Sequence, residues 1–248
     1  MKLAAESNLK NVTLELGGKS PNIVFEDADL DEAVSWAAFG INFNAGQTCC
    51  AGSRLYLQES IKEKFLEKLV AKFKEIQVGD PSKATTFQGP QVSQTQFDRI
   101  SAYIQSGKDE GATLLVGGER HGDEGYFIQP TLFADVKPEM KILKEEIFGP
   151  VLVVATFKDE ADVIAQANAS EYGLASAVFS KDITRAISVA NKIHSGTVWV
   201  NSFNQLHTQV PFGGYKTSGI GRELGEYALH NYTNVKAVHI NLTNKGPL

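Results

Sequence analysis

Strand-like and helix-like stretches alternate along almost the whole chain, a pattern that predicts an α/β fold built on a largely parallel sheet. Residues 12–16 form a short β-like run closed by Gly17-Gly18, and 22–25 form a second. Asp29 is an N-cap candidate for a helix over 30–39 whose alanines and apolar residues suit burial on more than one side. After a polar loop, 55–57 reads as a strand, and Ile61, Phe65, Leu69, Phe73 and Ile76 recur at helical spacing until Gly79-Asp80-Pro81. A helix at 92–107, a strand at 113–116 and an extended stretch at 127–133 follow. The β-branched run 151–157 has the continuous apolar character of a strand covered on both faces. Beyond it come a helix at 161–167, a strand at 175–179, a helix at 183–192 and a strand at 197–201. A helix at 223–231 and a strand at 235–242 close the pattern; the last strand is not needed inside the domain, so it is expected to pair with another chain or domain. No internal repeat, low-complexity tract or linker divides the chain.

Composition narrows the reading. The chain has 248 residues and a formal net charge of -5, which disfavours phosphate-backbone binding and hence a nucleic-acid partner. The lysines of 62–74 are interleaved with Glu63, Glu67 and Glu75, the pattern of a solvated helix face. No apolar run approaches the roughly 20 residues of a membrane span, so no membrane partner is expected. Residues 1–6 lack the apolar core of a signal peptide. Two unpaired cysteines fit a reducing compartment, cytoplasmic by default with the mitochondrial matrix open. The five histidines show no metal-ligand spacing, so no metal is expected.

Both cysteines, Cys49 and Cys50, stand side by side in the small, polar stretch 43–54. Consecutive side chains diverge and do not readily form a disulfide, which leaves one of them a candidate nucleophile. Its thiolate has to be generated from a group with an ordinary pKa of about 8.5, so a carboxylate or histidine is sought nearby. Glu15, flanked by Leu14 and Leu16, is a candidate general base whose pKa desolvation would raise; the other reading puts it on the wet face of an edge strand. A Cys–His pair using His194 or His207 is a further alternative, although nothing in the sequence places either beside Cys49.

Leu14-Glu15-Leu16-Gly17-Gly18-Lys19-Ser20-Pro21, followed at this distance by Asn44-Ala45-Gly46-Gln47-Thr48-Cys49, resembles the two signature segments of the aldehyde dehydrogenase superfamily. Glu145-Glu146-Ile147-Phe148-Gly149-Pro150, Gly196-Thr197-Val198-Trp199-Val200-Asn201 and the run 211–223 agree, in the family's order. The resemblance is to the non-acylating, NAD-linked members. It implies a catalytic domain with a parallel twisted sheet flanked by helices, and a final strand used in homo-oligomer assembly. It implies that the Cys49 thiolate attacks a small-molecule aldehyde, that a hydride passes from the thiohemiacetal to NAD, with NADP open, and that Glu15 activates water to hydrolyse the thioester. The Cys49 backbone N–H would be one half of the oxyanion hole, and Cys50 a small packing residue.

By the same resemblance Glu146 holds the nicotinamide-side ribose, Phe148 packs beside the nicotinamide, and the Leu16 carbonyl lies near its carboxamide. Glu223 stands at a proton-relay position, and Phe43, Leu206 and Phe212 line the aldehyde channel. Without the resemblance these residues read as solvated charges and core apolar groups. Full-length members carry a dinucleotide-binding domain ahead of the Leu-Glu-Leu-Gly-Gly segment, which here begins at Leu14, about a dozen residues into the chain. The implied division is 1–17 as a remnant of that domain, 18–218 as the catalytic domain, and 219–248 as a C-terminal helix and oligomerisation strand. The chain alone is then expected to be impaired in aldehyde oxidation. A cofactor-free thiol esterase using Cys49 and Glu15, or a non-catalytic assembly fragment, are the alternatives.

Overall fold

The structure, a computed structural model, describes residues 1–243 and 246. In chain order the elements are α1 (Lys2–Glu6), β1 (Leu14–Glu15), β2 (Pro21–Val24), α2 (Leu30–Asn42), β3 (Arg54–Gln58), α3 (Lys62–Lys74), α4 (Gln94–Asp109) and β4 (Thr113–Val116). Then follow β5 (Thr131–Ala134), α5 (Lys141–Lys144), β6 (Val151–Phe157), α6 (Glu160–Asn168), β7 (Ala175–Phe179), α7 (Ile183–Ala190), β8 (Thr197–Val200) and β9 (Gly219–Ile220). Seven strands make one sheet in the order β4-β5-β6-β3-β2-β7-β8. Every neighbouring pair is parallel except β4 with β5. The largely parallel α/β architecture expected from the alternation is therefore the one formed.

The central strands divide their side chains between two helical layers, because successive residues of a strand point to opposite faces. Val24, Leu55 and Leu57 join the core with α2 and α3, where Phe65 and Leu69 are fully buried. Ile23, Phe25 and Tyr56 join a second core with Val163 of α6 and Ala186 and Val189 of α7. Val151 and Val153 face a third, with Ile100 and Ile104 of α4. Strand β6 is thus covered on both faces, as its unbroken apolar run predicts. Aspartates start several of the helices: Asp29, Asp159 and Asp182 each accept backbone N–H groups in the first turn of α2, α6 and α7.

Several boundaries differ from the sequence reading for identifiable reasons. Helix α2 continues to Asn42 through Gly40, where a Cβ would meet the Phe203 ring at 2.6 Å and only glycine fits. Helix α4 begins after Ser93, whose hydroxyl caps the Gln96 N–H. The extended stretch at 127–133 pairs only from Thr131, with Ile128 in an isolated bridge to Arg120. The helix expected at 223–231 is a 3₁₀ segment over Glu226–Asn231, because Glu223 is taken up in reciprocal backbone hydrogen bonds with Phe212, both 2.7 Å. The final strand expected at 235–242 is not formed: a strand is a pairing, and these residues have no neighbouring strand among the described residues. Val235 and Leu242 are 98% and 89% exposed.

One consequence positions the site. Residues 17–20, 48–53 and 146–150 immediately precede the parallel strands β2, β3 and β6, so all three lead into the same, N-terminal edge of the sheet. Dinucleotides in open α/β sheets bind outside the opposite, carboxyl edge, whereas these three loops gather at the amino edge. Phe65→Ala is expected to lower the free energy of urea unfolding by about 3–5 kcal/mol, since it empties the centre of the layer between α3 and the sheet.

Candidate active site

The loop that carries the cysteines leaves α2 through an unusual backbone path. Asn44, Ala45 and Gly46 follow one another in the left-handed region, with φ of 52°, 54° and 70°. For Ala45 that conformation costs about 1–2 kcal/mol, so the surroundings have to hold it. Asn44 Nδ2 donates to the Gln47 carbonyl at 2.9 Å, and the Val92 N–H donates to Gln47 Oε1 at 2.9 Å. Gly46 lies flat against the Gly149–Pro150 backbone, where an added Cβ would stand 2.1 Å from the Gly149 carbonyl. Past this turn the Ala51 N–H donates back to the Thr48 carbonyl at 2.9 Å, which sets Cys49 in a tight turn.

The second element is the segment 14–18. Strand β1 pairs antiparallel with β9, Leu14 opposite Ile220 and Glu15 opposite Gly219. The Leu16 N–H donates to the Ser218 carbonyl at 3.0 Å, and Ser218 Oγ donates to the Gly17 carbonyl at 2.6 Å. Gly18 then presses on the cysteine turn, leaving 2.3 Å between a would-be Cβ and the Cys49 carbonyl oxygen. This stitching brings the Glu15 carboxylate near enough for its charge to act on the Cys49 thiol. Glu15 is exposed, on the wet face of its short edge strand.

Cys49 is half-buried and Cys50 buried. The neighbouring Cys50 thiol, burial and the Glu15 carboxylate together push the Cys49 thiol well above its ordinary value. Cys50 Sγ donates to Asn204 Oδ1 at 3.3 Å and packs in the core with Phe203 and Phe212. Cys50 and Glu15 are the groups that act on the thiol, and neither His194 nor His207 is among them. The Cys49 backbone N–H has no acceptor among the described residues.

The third element is 145–149. Glu146 Oε1 accepts the Gly18 N–H at 2.9 Å, and its carboxyl fills the space beside Gly17 where a Cβ would come within 2.5 Å. Burial pushes the Glu146 carboxyl up, against the Gly18 hydrogen bond that draws it down. Phe148 sits at φ 60°, with its carbonyl accepting from Gln96 Nε2 at 2.8 Å. Gly18, Gly46, Thr48, Glu146 and Phe148 line one narrow crevice. Among the described residues the Leu16 carbonyl accepts no hydrogen bond.

The remaining expected residues lie apart. Leu206 and Phe212 share a cavity of about 180 Å³ with Trp199, His207 and Val210. Phe43 does not line it; it stacks on Phe39, ring centroids 5.2 Å apart, at the surface. Glu223 is exposed, and its backbone is laddered to Phe212. Sequence reasoning missed Asn204, which lies in no recognised motif. It also passed over Lys19, although a lysine directly after two glycines and before a strand was a visible signal. Lys19 is 1% exposed, its Nζ has no hydrogen-bond partner among the described residues, and burial and the Arg54 charge bring its pKa down to about 7.

The model of the aldehyde dehydrogenase family matches residues 1–238. An aldehyde dehydrogenase of Agaricus bisporus is 64% identical over 245 residues, which cover 99% of this chain and 49% of that protein. A mitochondrial aldehyde dehydrogenase of Rattus norvegicus is 54% identical over 242 residues, 98% of this chain and 47% of its own length. Among solved structures, the NAD+ complex of aldehyde dehydrogenase from Bacillus cereus superposes with a TM-score of 0.96 at 51% identity, covering 98% of this chain and 49% of that one. The chain spans about half the length of the curated relatives it matches.

Two measurements test the electrostatics. A carboxylate beside a thiol disfavours thiolate, so Glu15→Gln is expected to speed iodoacetamide alkylation of Cys49 severalfold at pH 8, read by mass spectrometry. For Lys19 the folded value of about 7 lies below the ordinary 10.5. Between those two pH values only the unfolded chain keeps the proton, so the stability lost at neutral pH returns as pH rises. Lys19→Met should therefore be more stable than the parent at pH 7, by an amount on the order of a few kcal/mol. Urea midpoints at pH 7 and pH 10 should show that gap closing.

Proposed function

We propose, from the premise that this chain belongs to the aldehyde dehydrogenase family, that it carries the covalent and hydrolytic half of NAD-linked aldehyde oxidation. The observation that supports this most directly is the packing of Gly18 on the Cys49 carbonyl, which holds the Glu15 segment against the cysteine turn. Sulfur adds to the aldehyde carbon, and Glu15 is placed to take the thiol proton as the thiohemiacetal forms. The Cys49 N–H, free of acceptors among the described residues, donates to the oxygen as it gains charge. Cys49 holds the carbon first as thiohemiacetal and then, two electrons poorer, as thioester. Glu15, exposed and able to pass that first proton to solvent, next removes a proton from water attacking the thioester, and returns it to the sulfur as the carboxylate product leaves and the thiol is restored.

The residues present fit the nicotinamide side of NAD. Glu146 uses one carboxylate oxygen on Gly18 and has the other unpartnered among the described residues, suited to a ribose diol. The Leu16 carbonyl is an open acceptor for a carboxamide, and Phe148 offers a ring beside Glu146 in the same crevice. When bound, NAD supplies the hydride acceptor for the oxidation. The Bacillus cereus relative is an NAD+ complex, which supports that choice.

Within this reading Phe43, Leu206 and Phe212 line the aldehyde approach, although Phe43 lies outside the cavity that the other two share, and Glu223 relays protons. The division into 1–17, 18–218 and 219–248 is retained, with 235–242 proposed to pair with a second copy; its exposed valines and leucine support that pairing. Two unpaired cysteines support a reducing compartment. No helix among the described residues is long and apolar enough to cross a membrane, and no group of His, Cys, Asp and Glu among them is arranged to hold a metal.

Because Cys49 and Glu15 meet within this chain, thiol esterase activity is the second reading. The chain should hydrolyse p-nitrophenyl acetate, with turnover abolished in Cys49→Ser and the deacylation phase slowed at least about tenfold in Glu15→Gln. Parallel assays of NAD binding by titration and of aldehyde-dependent NADH formation separate the oxidative from the hydrolytic half. Ester or aldehyde turnover that survives Cys49→Ser would refute the assignment.

A further inference from the structure

A cavity of about 410 Å³ opens between β3, α6 and the segment that leads to Glu146. Arg54, Tyr56 and Leu143 form its buried floor, and Pro138, Lys144 and Ala165 its exposed rim. That volume falls within the range of about 300–1,000 Å³ typical of small-molecule sites, and the walls are mainly apolar. The floor is unusual in its charge. Arg54 is 3% exposed and has no carboxylate partner among the described residues.

Its guanidinium donates from Nε to the Lys19 carbonyl at 2.7 Å, and from its two terminal nitrogens to Tyr56 Oη and the Ala167 carbonyl, both at 3.1 Å. These neutral acceptors take three of the five N–H groups a guanidinium carries and leave two unmatched. Two more cations lie close enough to feel Arg54, the buried Lys19 and Lys216. The carboxylates that act on Lys19 each hold one other hydrogen bond, Glu145 from the Tyr103 hydroxyl at 2.7 Å and Glu146 from the Gly18 N–H, and neither forms an ion pair with Arg54 among the described residues. A buried guanidinium without an anion is costly, and its planar fork matches a carboxylate.

We propose that this cavity is a binding site for a small amphipathic monocarboxylate, its charged end on Arg54 and its apolar body along Leu143, Pro138 and the face of α6. The inference is independent of the aldehyde chemistry, since it concerns a different cavity and requires no turnover. The choice of a carboxylate with an apolar tail follows from one cation at the floor and apolar walls above it; a phosphate would leave those walls in contact with water.

Octanoate, titrated into the chain by calorimetry with 1-octanol as the uncharged control, is the direct test. Octanoate should bind saturably at one site, and octanol at least about tenfold more weakly. Ala165→Trp, on the exposed face of α6, puts an indole into the mouth without touching the core. It should weaken octanoate at least about tenfold, or about 1.4 kcal/mol. Arg54→Met should do the same where circular dichroism shows it folded, and Cys49→Ser should leave the affinity unchanged. No saturable binding at millimolar octanoate, equal binding of the alcohol, an affinity indifferent to Ala165→Trp, or one lost in Cys49→Ser would each overturn the proposal.

Discussion

Gly18 approaches the Cys49 carbonyl so closely that a single methyl group in its place would come within 2.3 Å of the oxygen. The site exists because backbone touches backbone there. The same economy recurs where Gly46 meets Gly149 and where Gly17 makes room for the Glu146 carboxyl. Each contact joins two of the three segments that lead into β2, β3 and β6. In a packed interior a misplaced methyl cannot be absorbed without moving its neighbours. The glycines therefore fix how near the thiol, the carboxylate of Glu146 and the turn before β2 can lie to one another.

Charge is distributed over this scaffold in a way that burial alone would not produce. The negative groups, Glu15 and Glu146, stand on the side of the thiol and the narrow crevice. The buried positive groups, Lys19 and Arg54, lie just behind them, linked by the hydrogen bond from Arg54 Nε to the Lys19 carbonyl. Neither cation is directly salt-bridged among the described residues. Uncompensated buried charge is expensive wherever it occurs. For Lys19 that cost is met in part by the lowered pKa of about 7, which lets the side chain shed its proton near neutral pH.

Much of the fold was legible in the sequence, because the periodicities were strong. The run Val151–Phe157 and the run Ala175–Phe179 are strands with the expected limits, since a fully covered strand has no polar position to blur its ends. Boundaries failed where a tertiary contact overrode local pattern, as at Gly40 against Phe203 and at Glu223 against Phe212. The segment 235–242 has the alternation of a strand yet forms none, because alternation reports which face would be buried and not whether a partner strand is present. The approach of Glu15 to Cys49 was readable only through resemblance, since nothing in spacing alone brings residues so far apart together. Arg54 was not legible as a buried charge, since a cation beside a strand reads as solvated unless the packing above it is known; for Lys19 the only hint was its place between two glycines and a strand.

The pairing of β1 with β9 ties residues near the start of the chain to residues near its end. During synthesis the cysteine turn, β3 and the helices packed on them emerge and can condense long before Gly219 leaves the ribosome. Until it does, nothing fastens Glu15 in place. A nascent chain thus forms the cysteine turn before Glu15 is fastened beside it, because β9 follows every strand of the seven-stranded sheet in chain order.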